Sequence, residues 1–271
     1  MSLITAESAN DQGYQAIPLP RSPGDEAVLI ATMVRRSCGR RSRRAVLYVH
    51  CLHDPFVQPE LAAWYLERGF HFYVADLRAA RPRGREATLA EYFGYLDSAA
   101  RQVRDADGND TILVSAHQAG AVIAALWCHA RRAARSAEAL ILADPEFGED
   151  QHWLYRILAV RQAAGPRAGP GAASRLPELL PRVQRRVRRG LDISCPVLVM
   201  SRPPPDSIVA SGAASRAGPP TRLGPHVTWL RLASAVPGLA THDRAIRKRL
   251  YDELSRWLGA YLSAEVRDQL L

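Results

Sequence analysis

Two segments of the sequence place carboxylate and amide side chains where short apolar runs end. Asp144 and Glu146 follow the run 139–143, and Gln118 comes after the run 111–115 and a small-residue turn. A carboxylate in such a place can take up or deliver a proton, and an amide can orient a bound group through two N–H donors and one acceptor. An amide has no nucleophilic hydroxyl or thiol, so Gln118 cannot form the covalent intermediate that a serine forms.

A second group of candidates follows the apolar run 45–50. Cys51 is adjacent to His50, and it is either a thiol nucleophile or a small side chain that fills space. His53 and Asp54 either line the same cavity or belong to the turn that the Asp-Pro pair indicates. Asp144 has a similar pair of readings, since it either lines a pocket or caps the following turn. The sequence leaves these alternatives open.

The elements that must position these residues are short strands separated by amphipathic helices. Runs rich in Val, Ile, Leu and Tyr predict strands at 14–20, 27–34, 45–50, 71–76, 111–115, 139–143, 196–200 and 226–232. Helices are expected at 59–68, 88–104, 119–135 and 243–262. This alternation predicts an α/β fold with a mostly parallel sheet and helices on both faces. Ligands of such sheets bind beyond the carboxyl ends of the strands. The polar residues expected at those ends are His50, Cys51, Asp76, His117, Gln118, Asp144, Glu146, Ser201 and Arg202.

The predicted organisation is one core domain with a single insertion. Residues 1–147 and 191–271 form the two halves of the core, and residues 148–190 form the insertion, which contains a Gly/Pro-rich linker and an arginine-rich stretch. Trp153, in the first half of this insertion, is placed to roof an apolar ligand.

The composition excludes several classes of function. The 271 residues carry a net charge of +9, but the arginine runs have no interleaved aromatic residues, so we expect no nucleic-acid partner. The four cysteines form no C-x-x-C pair, and we expect no metal and no cofactor. The sequence has no signal-peptide pattern and no apolar run long enough to cross a bilayer, which predicts a cytoplasmic protein.

Several motifs occur in an order that resembles one known superfamily. They are the segments 47–54, 73–78, 91–97, 114–121 and 189–199, together with the closing helix, and the match runs from Gly13 to about Leu262. In this order they resemble the α/β-hydrolase superfamily, and most of all its lysophospholipase and monoglyceride-lipase-like branch. The resemblance implies an α/β-hydrolase fold in which the insertion is a shortened cap.

The resemblance also implies where a catalytic triad should lie, and this chain departs from it at each position. The nucleophile elbow G-x-S-x-G reads Ala-His-Gln-Ala-Gly at 116–120, with Gln118 in place of the serine. Ala210 stands at the acid position, Pro237 at the histidine position and Cys51 at a glycine of the oxyanion loop. His242 either enters the site through a remodelled loop or lies in the first turn of the last helix. The departures predict loss of the usual serine hydrolysis.

The sequence therefore predicts a non-canonical α/β-hydrolase-like protein that lacks the Ser-His-Asp triad. One reading is a cofactor-independent, non-hydrolytic enzyme of the cyclase, isomerase or lyase type, which acts on a largely apolar small molecule in specialised biosynthesis. The alternative is an inactive pseudo-hydrolase that binds a ligand or serves as a scaffold; a homodimer is an open possibility. The expected catalytic residues are Gln118 and Asp144. The expected substrate-binding residues are His50, Cys51, Leu52, His53, Ala119, Glu146, Trp153 and Pro237.

Overall fold

The fold is an eight-stranded sheet with helices on both faces. The computed structural model describes residues 13–20, 29–50, 59–80, 87–145, 183, 185–187, 189–201, 223–231 and 244–262. The strands are β1 (Gln15–Pro20), β2 (Leu29–Arg36), β3 (Arg44–His50), β4 (His71–Asp76), β5 (Thr111–His117), β6 (Ala139–Ala143), β7 (Val197–Ser201) and β8 (Val227–Arg231). The helices are α1 (Pro59–Glu67), α2 (Leu89–Arg101), α3 (Gln118–Ala130) and α4 (Arg244–Leu262).

The sheet is parallel except at one side. Its order is β1-β2-β4-β3-β5-β6-β7-β8. β1 pairs antiparallel with β2, and β2 pairs antiparallel with β4. From β4 onwards in the sheet order, each strand pairs parallel with the next, through β3, β5, β6, β7 and β8. The parallel strands therefore end at one common edge, and this edge is where the sequence places the candidate site.

Two apolar layers hold the helices on the sheet. Alternate residues of β5 point to opposite faces, so Val114 packs in the layer under α2 and α3, and Leu113 packs in the layer under α1 and α4. Every residue of β5 is buried, because a central parallel strand is covered on both faces. On α4, residues at three- and four-residue spacing face the sheet and are buried, namely Leu250, Leu254, Trp257, Leu258 and Leu262.

The helix ends follow local chemistry. Thr88 and Glu91 form a capping box at the start of α2, in which the Glu91 N–H donates to Thr88 Oγ1 at 3.3 Å and the Thr88 N–H donates to Glu91 Oε2 at 2.8 Å. The last helical residue of α1 is Glu67, and Gly69 turns the chain away from the helix with a φ of 77°, which is unstrained only for glycine. These two boundaries agree with the sequence prediction.

Two helix ends differ from the prediction. α2 gives way at 102–106 to a π-helical turn, and α3 stops at Ala130 instead of residue 135. The sequence 131–135 is rich in good helix formers, but the Arg131 side chain is held by Asp97, with Nη2 to Oδ2 at 2.7 Å. The chain continues as a short 3-10 turn at 132–134 and leaves helical backbone at Arg135, whose φ is 46°. The insertion predicted at 148–190 lies almost entirely outside the described residues, and its boundaries stay a prediction.

Candidate functional site

Gln118 lies in a sharp turn from a strand into a helix. β5 ends at His117 in extended backbone, with φ −128° and ψ 141°, and α3 begins at the next residue. Gln118, the first residue of α3, adopts a φ of 50°, in the left-handed region that costs an L-residue about 1–2 kcal/mol. This is the strand-to-helix turn of a nucleophile elbow, as the sequence predicted. The turn has formed although residue 118 is not a nucleophile.

Asp144 stands in a corresponding position at the end of the next strand. The pairs Ala116–Leu142 and His117–Ala143 are in register between β5 and β6, so Gln118 and Asp144 follow side by side. The Asp144 N–H donates to the Met200 carbonyl at 2.8 Å, which fixes its backbone against β7. Its side chain is half-buried.

The backbone of Asp144 is strained in the same sense as that of Gln118. Its φ is 44°, and Gln118, Arg135 and Asp144 are the three non-glycine residues with positive φ in the described part of the chain. Pro145 disfavours right-handed helical backbone before it, and aspartate tolerates the left-handed region better than most residues. Two strained residues at adjacent strand ends are an observation from which a functional site can be inferred.

Among the described residues, most of those next to this pair along the chain are small and apolar. The Gln118 side chain is 3% exposed and Ala119 is 1% exposed. Ala116 and Ala143, which precede the two turns on their strands, are also buried. His117 is buried, and its side chain does not cap α3. Among the described residues, Gln118 and Asp144 thus follow adjacent strands at the carboxyl edge of the sheet.

Asp76, another strand-end candidate, forms an ion pair with Arg78. Arg78 donates to it through Nε at 2.9 Å, through Nη2 at 2.6 Å and through its backbone N–H at 2.9 Å. Burial raises the pKa of the Tyr95 hydroxyl, and the nearby Asp76 charge adds to the rise. The spacing of Asp76 and Arg78 was available in the sequence, and it identifies a local ion pair.

The remaining predicted site residues cannot be placed beside this pair. Cys51, Leu52, His53, Glu146, Trp153 and Pro237 lie outside the described residues, as do Ala210 and His242. His50 ends β3 opposite Asp76, but its side chain is outside the described part. Their roles stay predictions.

Among the described residues, three buried hydroxyl and thiol groups are poor substitutes for a serine at position 118. Ser115 precedes Gln118 by three residues, is fully buried and faces α1 and α4, away from the carboxyl edge. Burial raises the pKa of the Cys128 thiol strongly and that of Cys195 to about 12. A thiol with such a pKa carries almost no thiolate near neutral pH and is a poor nucleophile.

The described residues include neither a metal site nor a membrane-spanning helix. They contain no group of three His, Cys, Asp or Glu side chains arranged to hold a metal ion. None of their helices combines the length and the hydropathy that a membrane span requires.

Comparison with known proteins identifies the fold. No protein-family model matches the sequence, and no curated protein matches it. Among solved structures, an esterase from Pyrococcus furiosus aligns over 97% of this chain and 96% of its own, with 11% identity and a TM-score of 0.58. Est1E from Butyrivibrio proteoclasticus aligns over 90% of this chain and 99% of its own, with 12% identity and a TM-score of 0.55.

A mammalian structure gives the same result. Alpha/beta hydrolase domain-containing protein 10 from mouse aligns over 92% of this chain and 100% of its own, with 11% identity and a TM-score of 0.53. At these identities the comparisons establish the fold alone. The chain has the α/β-hydrolase fold, as the sequence predicted, and the lysophospholipase-like branch stays a prediction.

Proposed function

We propose that this protein is a non-hydrolytic enzyme of the cyclase, isomerase or lyase type, which acts on a largely apolar small molecule. The observation that carries the proposal is the pair formed by Gln118 and Asp144. Both have left-handed backbone at the ends of adjacent strands, at the edge where ligands of parallel sheets bind. Strained backbone persists where the surrounding structure enforces it, and it concentrates at functional sites.

The residue types decide which reaction the pair supports. Hydrolysis by the serine route needs a nucleophile at position 118, and the glutamine amide cannot supply one. The amide can instead donate hydrogen bonds to a substrate oxygen and hold it in one orientation. The Asp144 carboxylate can accept a proton from a carbon or oxygen of the same molecule and return it elsewhere. Such a transfer rearranges, closes or cleaves the substrate without a covalent intermediate.

The first experiment tests whether the protein hydrolyses esters. The full chain is assayed with p-nitrophenyl acetate, before and after treatment with a serine-reactive fluorophosphonate. We expect no turnover above the uncatalysed rate and no covalent label by intact-mass spectrometry. Rapid turnover that the fluorophosphonate abolishes would show a serine hydrolase, and the proposal would then be wrong.

The second experiment identifies a substrate and assigns the roles. Native mass spectrometry of protein purified from its producing cells reports the mass of any ligand that stays bound. Gln118→Ala and Asp144→Asn are then compared with wild type on that compound, and Asp76→Asn serves as a control carboxylate outside the pair. We expect Asp144→Asn to lower kcat by about 100-fold or more. We expect Gln118→Ala to weaken binding and turnover together. Unchanged turnover in both variants contradicts the assignment.

The second candidate is a pseudo-hydrolase that binds a ligand without converting it. It is favoured by the identity of residue 118 itself, because a buried amide is a binding group with no chemistry of its own. The two candidates differ in the fate of the ligand. A binding protein returns the compound unchanged after prolonged incubation, whereas an enzyme returns a product of altered structure.

A further inference from the structure

A basic surface lies at the end of the sheet opposite Gln118 and Asp144. The strands β3, β5, β6 and β7 are consecutive neighbours and run parallel, so the segments that lead into them lie side by side. Each of these segments carries arginine, and all of these arginines are exposed or half-buried. We call them the arginine edge: Arg40, Arg41, Arg43, Arg44, Arg104, Arg132, Arg135, Arg185, Arg186 and Arg189.

Hydrogen bonds join the segments into one continuous surface. They run from the Asp110 N–H to the Arg43 carbonyl at 3.0 Å, from Arg104 Nη2 to the Arg135 carbonyl at 3.5 Å, and from Ser194 Oγ to the Arg132 carbonyl at 3.2 Å. Neighbouring strands lie about 4.8 Å apart, so the arginine edge extends for about 14 Å from β3 to β7.

The arginine edge carries more cations than anions. The described residues of 40–44, 104–110, 132–138 and 185–195 include five carboxylates, namely Asp105, Asp107, Asp110, Glu138 and Asp192. Ion pairs join Arg43 to Asp110 at 3.3 Å and Arg132 to Asp192 at 3.8 Å, and both pairs are exposed. Exposed ion pairs are weak, so a carboxylate of a bound partner competes with them effectively.

Four exposed arginines of the edge have no ionic partner among the residues that the structure describes. They are Arg41, Arg135, Arg186 and Arg189. Unpaired cations gathered on one surface attract anions and speed their association. A guanidinium group also binds a carboxylate through two parallel N–H···O bonds, which gives such a surface geometric specificity.

The residue types at the edge favour one class of anionic partner. The described residues of the four segments include no Phe, Tyr or Trp, the side chains on which single-stranded nucleic acids stack. Their bulky apolar side chains Val187, Leu191 and Ile193 are buried, so they cannot enter a lipid surface. Every cation in these segments is an arginine, the residue best suited to planar carboxylates.

We propose that the arginine edge binds an acidic segment of a partner protein, in which several Asp or Glu residues follow one another in extended backbone. An extended chain advances about 3.3 Å per residue, so about five residues cover the distance from β3 to β7. β5 has 7 residues, which places the edge about 20 Å from Gln118. The bound segment therefore leaves the candidate site open, and the inference does not depend on the proposed function.

Fluorescence anisotropy with fluorescein-labelled hexaglutamate tests the proposal on the full chain. The variant Arg41→Gln/Arg135→Gln/Arg186→Gln removes three exposed, unpaired cations of the edge. Each exposed charge pair contributes a factor of about two to affinity, so we expect the Kd of this variant to be about 10-fold higher than that of wild type. Added salt should weaken the binding of wild type. No binding by wild type at millimolar peptide overturns the proposal.

A matched control removes the same charge elsewhere. Arg231 ends β8, and Arg244 and Arg249 lie in α4; all three are exposed and outside the arginine edge. Their triple glutamine variant should change the Kd for hexaglutamate by less than about twofold. An equal loss of affinity in both triple variants would mean that only the net charge of the protein attracts the peptide, and the proposal would be wrong.

Two further measurements separate the classes of partner and locate the contact. Oligothymidylate and phosphatidylserine vesicles are titrated in parallel, and tighter binding of either one, lost in the edge variant, would contradict a protein partner. Hydrogen exchange of the wild-type chain with hexaglutamate should show protection in 40–44 and 132–138. Protection confined to other segments overturns the proposal, and this readout needs no variant to fold.

Discussion

The left-handed backbone at residue 118 predicts an unusual order of stability between two variants. Gln118→Ala and Gln118→Gly both remove the buried amide side chain, so they differ only in the Cβ atom. At a φ of 50° the alanine carries the left-handed penalty of about 1–2 kcal/mol, which glycine avoids. Glycine loses about 0.5–1 kcal/mol more than alanine through chain entropy. At the midpoints of these two ranges, the glycine variant is more stable by about 0.75 kcal/mol.

A matched substitution in a helix should give the opposite sign. Ala63 lies in the middle of α1 with ordinary helical backbone and is half-buried. Ala63→Gly should therefore cost about 1 kcal/mol, as in other helix interiors. The comparison isolates backbone conformation from the loss of a side chain, because the same alanine-to-glycine exchange is made at both positions.

Urea unfolding followed by circular dichroism measures both differences. The free energies are comparable when the variants share one m-value. If Gln118→Ala is as stable as Gln118→Gly or more so, at equal m-values, then residue 118 is not held in the left-handed region. The elbow geometry would then not be retained in the absence of the nucleophile.

Three further predictions concern other parts of the chain. Asp97→Ala should destabilise the fold by about 2–3 kcal/mol, because the Asp97 carboxylate accepts hydrogen bonds from Trp127 Nε1 at 2.8 Å and from Arg131. Urea unfolding measures the change in the free energy of unfolding, and a loss below about 0.5 kcal/mol would refute the prediction. Stability should fall as pH rises from about 9 towards 12, because unfolded Cys195 loses its proton near pH 9 while the folded thiol, with a pKa of about 12, keeps it. Cys195→Ala should make this fall shallower by about 1.4 kcal/mol per pH unit. An unchanged slope in pH-dependent denaturation would contradict the assignment. Gln118→Ser should remain inactive towards p-nitrophenyl acetate, since Ala210 and Pro237 occupy the predicted acid and histidine positions; hydrolysis by this variant would mean that a base and an acid are present elsewhere.

The sheet was predictable because its strands are buried on both faces. The runs 71–76 and 139–143 are continuous apolar segments between turn residues, and the structure has strands with those same bounds. The end of α3 was not predictable from local sequence, because the residues at 131–135 are good helix formers, whereas the structure has a 3-10 turn at 132–134 and a φ of 46° at Arg135.

The site was predictable in part. The motif at 116–120 predicted the turn at Gln118, and the apolar run 139–143 predicted a strand that ends just before Asp144. The pairing of these two strands comes from the structure. The left-handed backbone of Asp144 had only a weak signal, the following proline. Tyr65 and Ser115 lie close together although 50 residues of sequence separate them, and no motif links the two. Their proximity arises from the packing of α1 on the sheet, which sequence spacing does not encode.

The turn at residue 118 should also keep its backbone conformation when other side chains are introduced there. The backbone around it is enforced by the surrounding sheet and helix, since glutamine itself does not prefer that conformation. Any residue introduced there is therefore delivered to the same place, with its Cβ aimed by the protein and not by its own preference. Gln118→Cys would place a thiol at the edge of the sheet, next to Asp144, and its rate of reaction with a small alkylating reagent would report on what enters there.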